Sequence, residues 1–95
     1  MTKDTSLYII AYDIPNDRRR TKLHKTLRGF GTWTQYSLFE CWLSDKDMVR
    51  LRAKLDKLLA PKEDSVRLYP LCSRCVAQVE TVGSALPREE MVYLI

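Results

Sequence analysis

Apolar and polar positions in this chain repeat with two different periods, and the switches between them mark out a strand–helix–strand–helix–strand order. Residues 7–12 (Leu-Tyr-Ile-Ile-Ala-Tyr) are almost continuously apolar, with aromatic and β-branched members, which predicts a central strand covered on both faces. Pro15 and Asn16-Asp17 supply a turn and a helix cap, because Asn and Asp accept hydrogen bonds from the first free amides. A helix is predicted from about residue 17 to 28, with Leu23, Leu27 and Phe30 forming one apolar stripe. Arg18, Lys22 and Lys25 fall on the opposite side and Arg28 at its margin, while Arg19 and Arg20 flank the stripe in the first turn, near Asp13. His24 is read as pointing away from the stripe, and Gly29 and Gly31 end the helix.

Residues 33–43 are rich in strand formers but long for one strand, so they form either one extended strand or two short ones bent near Ser37. Ser44 followed by Asp47 is a capping-box signal. Met48, Leu51, Leu55 and Leu58 then make the stripe of a second helix that Pro61 stops. After the polar turn 61–64, residues 65–71 read as a strand, and residues 76–82 alternate as a half-exposed strand does. Residues 91–95 are apolar to the last position and are predicted to dock on this sheet or on the edge of a second subunit.

Ninety-five residues predict one domain with a thin core that oligomerisation would support. No apolar run is long enough to span a bilayer and the first six residues lack a signal-peptide pattern, so the expected setting is the cytoplasm, away from membranes. Net charge is +4, yet six basic residues and no acidic one lie between Arg18 and Arg28, leaving ten basic against twelve acidic elsewhere. Charge concentrated in this way implies an anionic partner.

Asp13 is the candidate metal ligand, placed where a strand gives way to a loop. Mg²⁺ takes one or two protein carboxylates and keeps several waters, so one Asp per chain suffices in a symmetric dimer. The competing reading is that Asp13 only shapes the turn before Pro15. The basic helix likewise reads as a phosphate-binding face or as a solvated one. Three arginines in its first turn oppose the helix dipole, a tolerated cost that hints at a role. Tyr12, Tyr36, Phe39 and Trp42 are candidates for base stacking, although aromatics in strands more often belong to a core. The Cys72-Ser-Arg-Cys75 pair falls two ligands short of a zinc site, and no helix start is expected there, so the three thiols are read as reduced.

Tyr12-Asp13-Ile14, the Arg-rich helix start, Gln35-Tyr36-Ser37-Leu38-Phe39-Glu40 and Arg67-Leu-Tyr-Pro-Leu-Cys72 together resemble Cas2, the small CRISPR-associated protein family of spacer acquisition. The resemblance runs nearly the whole length. It implies an α+β, ferredoxin-like βαββαβ sandwich filling residues 1–95, with about 78–95 as an extra C-terminal strand or tail completing the sheet of the partner in a homodimer. It favours the two-strand reading of 33–43. The activity it implies is a Mg²⁺-dependent endonuclease on single-stranded RNA or double-stranded DNA, with the Cas1 integrase as partner. Residue by residue, it implies Asp13, Arg20 and Phe39 as catalytic and Asp13 as the metal ligand. The nucleic-acid contacts expected beside it are Tyr12, Arg18, Arg19, Arg20, Lys22, Lys25 and Arg28. Many relatives carry a basic residue just before Gln35-Tyr36-Ser37; Trp33-Thr34 stands there in this chain, which either weakens the case for efficient nuclease action or shifts substrate contact onto stacking. The alternative to an enzyme is a non-catalytic dimeric DNA-binding scaffold for the integrase.

Overall fold

β1 (Ser6–Asp13) is the axis of the sheet in the computed structural model, which describes residues 4–83. It pairs antiparallel with β3 (Leu38–Leu43) on one side and β4 (Ser65–Leu71) on the other. With β2 (Thr32–Gln35) outside β3, the strand order is β2-β3-β1-β4. Helices α1 (Asp17–Arg28) and α2 (Asp45–Leu58) cross between strands, giving the α+β, ferredoxin-like βαββαβ arrangement. No helix among the described residues is long and apolar enough to cross a membrane.

The helices cover one face only. Ile10 and Tyr12 of β1, Phe39, Cys41 and Leu43 of β3, Trp33 of β2, and the Leu23, Leu27, Leu51 and Leu55 stripes close into a single core. The intervening residues Leu7, Ile9, Ala11 and Asp13 share the other face, because successive strand side chains point oppositely. The prediction of a strand covered on both faces is met in part: helices seal one face of β1, while on the other Leu7 is buried, Ile9 and Ala11 are half-buried and Asp13 is exposed.

Each helix begins where local chemistry tells it to. The Asn16 side chain accepts from the Arg19 amide at 2.9 Å. Ser44 and Asp47 form a reciprocal capping box, at 3.1 Å from the Asp47 amide to Ser44 Oγ and 3.2 Å from the Ser44 amide to Asp47 Oδ2. The Ser44 amide holds the Asp47 carboxyl below its usual range. Gly31 follows α1 where β3 passes close: a Cβ there would meet Cys41 Sγ and the Glu40 carbonyl at 2.4 Å. Residues 33–43 divide as the two-strand reading has it, with Tyr36 and Ser37 turning between β2 and β3.

Several expectations from the sequence are not met. Residues 76–82 are not a strand: α3 (Ser73–Val76) is a helical turn and no strand follows it up to residue 83. Bonds from the Val76 amide to the Cys72 carbonyl (3.0 Å) and the Ala77 amide to the Ser73 carbonyl (3.1 Å) satisfy locally groups that a strand would need a neighbour to satisfy. The same helix puts Cys72 at a helix start after all, with both thiols exposed and free. Residues 78–83, the start of the expected C-terminal strand or tail, carry no strand, and the rest of that expectation, including 91–95, lies outside the described residues. Finally, His24 is buried rather than turned away from the stripe. Its ring meets Phe39 at 5.1 Å and Trp33 at 5.9 Å edge-on, and its Nδ1 lies 3.4 Å from the Tyr12 hydroxyl. Burial, reinforced by the charge of Arg28, holds its pKa below the usual value and keeps it neutral.

Candidate metal and nucleic-acid site

Asp13 is the last residue of β1, opposite Ser65 of β4, and it stands exposed on the open face. Among the described residues it has no hydrogen-bond or ion-pair partner. Two positions back, Ala11 lies between Leu38 and Arg67, and the Arg67 Nη1 is 3.4 Å from the Tyr69 hydroxyl. Trp42 and Tyr69 extend the same face and remain 41% and 45% exposed. The face is thus largely apolar, with the Asp13 carboxylate at its rim, Arg67 beside it, and the exposed Glu40 farther along, opposite Ile9. Arg67 is a candidate that reading by sequence passed over; the alternation Arg67-x-Tyr69 on a strand next to Asp13 was the available signal.

Arg20 closes the turn that follows Asp13. Its Nη1 donates to the Ile14 carbonyl at 2.9 Å and the Pro15 carbonyl at 3.4 Å, and its Nη2 pairs with Asp17. A positive charge is therefore fixed within a few residues of Asp13. Arg19 is committed elsewhere: its Nε donates to Asp64 Oδ2 at 2.7 Å and its Nη2 to Asp64 Oδ1 at 3.2 Å. The Ala60 amide adds a third bond to Asp64 at 2.8 Å. The Arg19 guanidinium holds the Asp64 carboxyl below its usual range, and the pair ties the first turn of α1 to the loop before β4. Carboxylates on two of the three first-turn arginines, Arg19 and Arg20, also offset their cost against the dipole of α1. Arg18, Lys22, Lys25 and Arg28 are exposed, as the basic-face reading requires.

Two of the expected contact residues are not at the surface. Phe39 has no exposed area and Tyr12 only 5%, so neither reaches a substrate in this fold, and Phe39 leaves the catalytic set for the core. Strand alternation is the cause: both residues fall on the helix-covered face, one position from open-face neighbours. Burial pushes the Tyr12 hydroxyl up, against the opposing pull of Ser37 and Arg20. Trp33 is also buried and offers no stacking surface; its indole Nε1 instead donates to the Tyr36 carbonyl at 2.8 Å. Tyr36 is more exposed than Trp42 or Tyr69, at 59%, and its φ of 44° lies in the left-handed region. A non-glycine residue held there is uncommon and marks a constrained turn. The Tyr12 amide, next to Asp13, donates to the Ser37 carbonyl at 3.1 Å, so this turn adjoins the Asp13 end of β1.

No three His, Cys, Asp or Glu side chains gather into a metal cluster among the described residues. A single free carboxylate suits Mg²⁺, which keeps most of its waters, only if a second copy brings another. Cys41 is buried and its thiol is pushed up to about 11, first by burial and then by Glu40, so it is an inert core residue.

Residues 6–79 match the sequence model of the family described as CRISPR associated protein Cas2. The CRISPR-associated endoribonuclease Cas2 3 of Synechocystis sp. is 48% identical over 77 residues, which cover 81% of this chain and 84% of that protein. Among solved structures, a hypothetical protein of Thermus thermophilus, TT1823, superposes with a TM-score of 0.77 at 39% identity, covering 86% of this chain and 95% of that one. A chain from a structure described as a partial Cas6–RT–Cas1–Cas2 complex gives a TM-score of 0.70 at 26% identity, over 85% of this chain and 90% of that one.

Proposed function

The chain belongs to the CRISPR-associated Cas2 family, and from that premise we propose that its homodimer is a Mg²⁺-dependent endonuclease of spacer acquisition, acting in the cytoplasm on phosphodiester bonds of single-stranded RNA or double-stranded DNA. The observation that carries this reading is the Asp13 carboxylate, exposed, unpaired among the described residues, and set at the rim of an open, largely apolar sheet face. An apolar face of this kind suits a second copy of itself, and an isologous pairing brings two Asp13 side chains to one twofold axis.

Asp13 from each subunit would hold the ion, which when bound would supply polarisation of the phosphate and a lowered pKa for an attacking water. Arg20, anchored on the Ile14 carbonyl, sets positive charge beside the place where negative charge develops. Arg67 adds a second fixed charge on the same face, and Tyr36 offers a ring for an unstacked base. Arg18, Lys22, Lys25 and Arg28 neutralise backbone phosphates. The experiment measures cleavage and nucleic-acid affinity on one protein carrying Asp13→Asn. Cleavage lost with binding intact supports the enzyme; cleavage unchanged from wild type overturns it.

A second reading has its own support. With Tyr12 and Phe39 in the core and Arg19 bound to Asp64, few side chains remain to serve a reaction. In that reading the dimer is a DNA-binding scaffold for a Cas1 integrase, a partner suggested by the similar chain that sits in a complex with Cas1. DNA binding with no Asp13-dependent cleavage, together with capture of purified Cas1, is the outcome that favours it.

A further inference from the structure

The helix layer, on the far side of the sheet from Asp13, holds a second concentration of charge that the sequence does not reveal as one feature. α1 and α2 leave a groove between them lined by Lys22, Lys25, Thr26, Lys54, Lys57 and Leu58. Each helix contributes two lysines three positions apart, so four lysines line one groove and no carboxylate lines it. None of the four forms an ion pair among the described residues, although acidic partners are used freely elsewhere, by Arg19, Arg20 and Arg50. Thr26 Oγ1 is turned into its own helix, donating to the Lys22 carbonyl at 2.9 Å, and Leu58 supplies a half-buried apolar element. Neither competes with the lysines for an anion.

Four like charges carried by the lysines of one groove repel, and a groove with low-dielectric walls focuses their field outward. A polyanion relieves that repulsion. The charges come from both helices and line an open groove, an arrangement that fits a run of phosphates better than one small anion. We propose that the α1–α2 groove is a second phosphate-backbone track, in which Lys54 and Lys57 join Lys22 and Lys25 to hold double-stranded DNA against the helix layer, while the Asp13 face points away from it. The proposal rests on the nucleic-acid reading above but adds a surface and two residues to it. Lys54 and Lys57 lie outside the basic run of α1, and a chain read residue by residue offers no reason to group them with it.

The test is a salt series of fluorescence anisotropy with labelled duplex DNA and the intact protein. Lys54→Gln with Lys57→Gln should flatten the dependence of log affinity on log salt by ~1.8, since each phosphate contact contributes ~0.9. Lys54→Arg with Lys57→Arg should restore it. Lys46→Gln with Lys62→Gln, outside the groove, should leave the slope alone. Chemical acetylation of the wild-type protein supplies a readout that needs no variant: duplex DNA should protect Lys22, Lys25, Lys54 and Lys57 and leave Lys46 and Lys62 reactive. DNA binding with an unaltered slope in the double Gln variant overturns the groove alone. Protection by polyglutamate but not by DNA also overturns it, in favour of an acidic protein surface. Failure of the wild type to bind any nucleic acid overturns this proposal together with the nucleic-acid reading on which it rests.

Discussion

The two faces of one sheet make a controlled comparison, since each strand contributes alternate residues to both. On the helix face, Ile10, Phe39 and Cys41 have no exposure at all; one residue away on the open face, Trp42 and Tyr69 keep 41% and 45% of theirs. The closed face is chemically quiet. Its one histidine is neutral, its thiol is raised by burial, and its aromatic rings contact one another. The open face carries Arg67 and two exposed carboxylates, Asp13 and Glu40, neither of them ion-paired among the described residues. Motif residues that sit side by side in the sequence, Tyr12 and Asp13, thus have opposite duties, one building the core and the other facing outward. Conspicuous motif residues are therefore not all contact residues; in this fold a motif marks the strand, and its alternate members divide between packing and chemistry.

That contrast can be broken from either side. The largest effect belongs to the closed face: Phe39→Ala should cost about 3–5 kcal/mol, because a fully buried ring leaves a cavity in a thin core. Urea denaturation measures it, and a change within about 0.5 kcal/mol, the range of surface substitutions, would mean that Phe39 does not lie in the core. On the open face, Trp42→Glu should leave monomer stability within about 1 kcal/mol while abolishing self-association. Sedimentation at several concentrations decides it; a dimer that persists removes this face from the interface.

The smallest effect is a pH dependence. The folded pKa of His24 lies below the 6.5 of the unfolded chain, so the unfolded state takes up the proton first. Stability should be fully present above pH 6.5 and should fall as the pH drops through the lower, folded value. His24→Gln should flatten the curve in this window. The Asp47 and Asp64 carboxyls, held below their usual 3.8 by Ser44 and Arg19, contribute their own loss only at more acid pH, so the two effects separate. A wild-type curve with no slope between pH 7.5 and 5 would show that His24 is not buried as described.

Much of the molecule was written locally. Asn16 and the Ser44–Asp47 box start the helices they were expected to start, the leucine stripes face the core, and the βαββαβ order follows. These succeed because a cap or a stripe is decided by atoms within a few residues. The tertiary structure decided what depends on distant atoms. Strand alternation says which residues share a face, but only the placement of α1 and α2 says which face is covered, and so Phe39 and Tyr12 stayed open between the core and the contact roles that the resemblance implied. Arg19 read as a free cation until Asp64, 45 positions away, turned out to hold it. Residues 76–82 alternate like a strand but turn after α3, since an alternating pattern becomes a strand only where another edge accepts its hydrogen bonds. Lys54 and Lys57 became neighbours of Lys22 and Lys25 through helix packing alone, since charge on separate elements carries no local record of where it will meet.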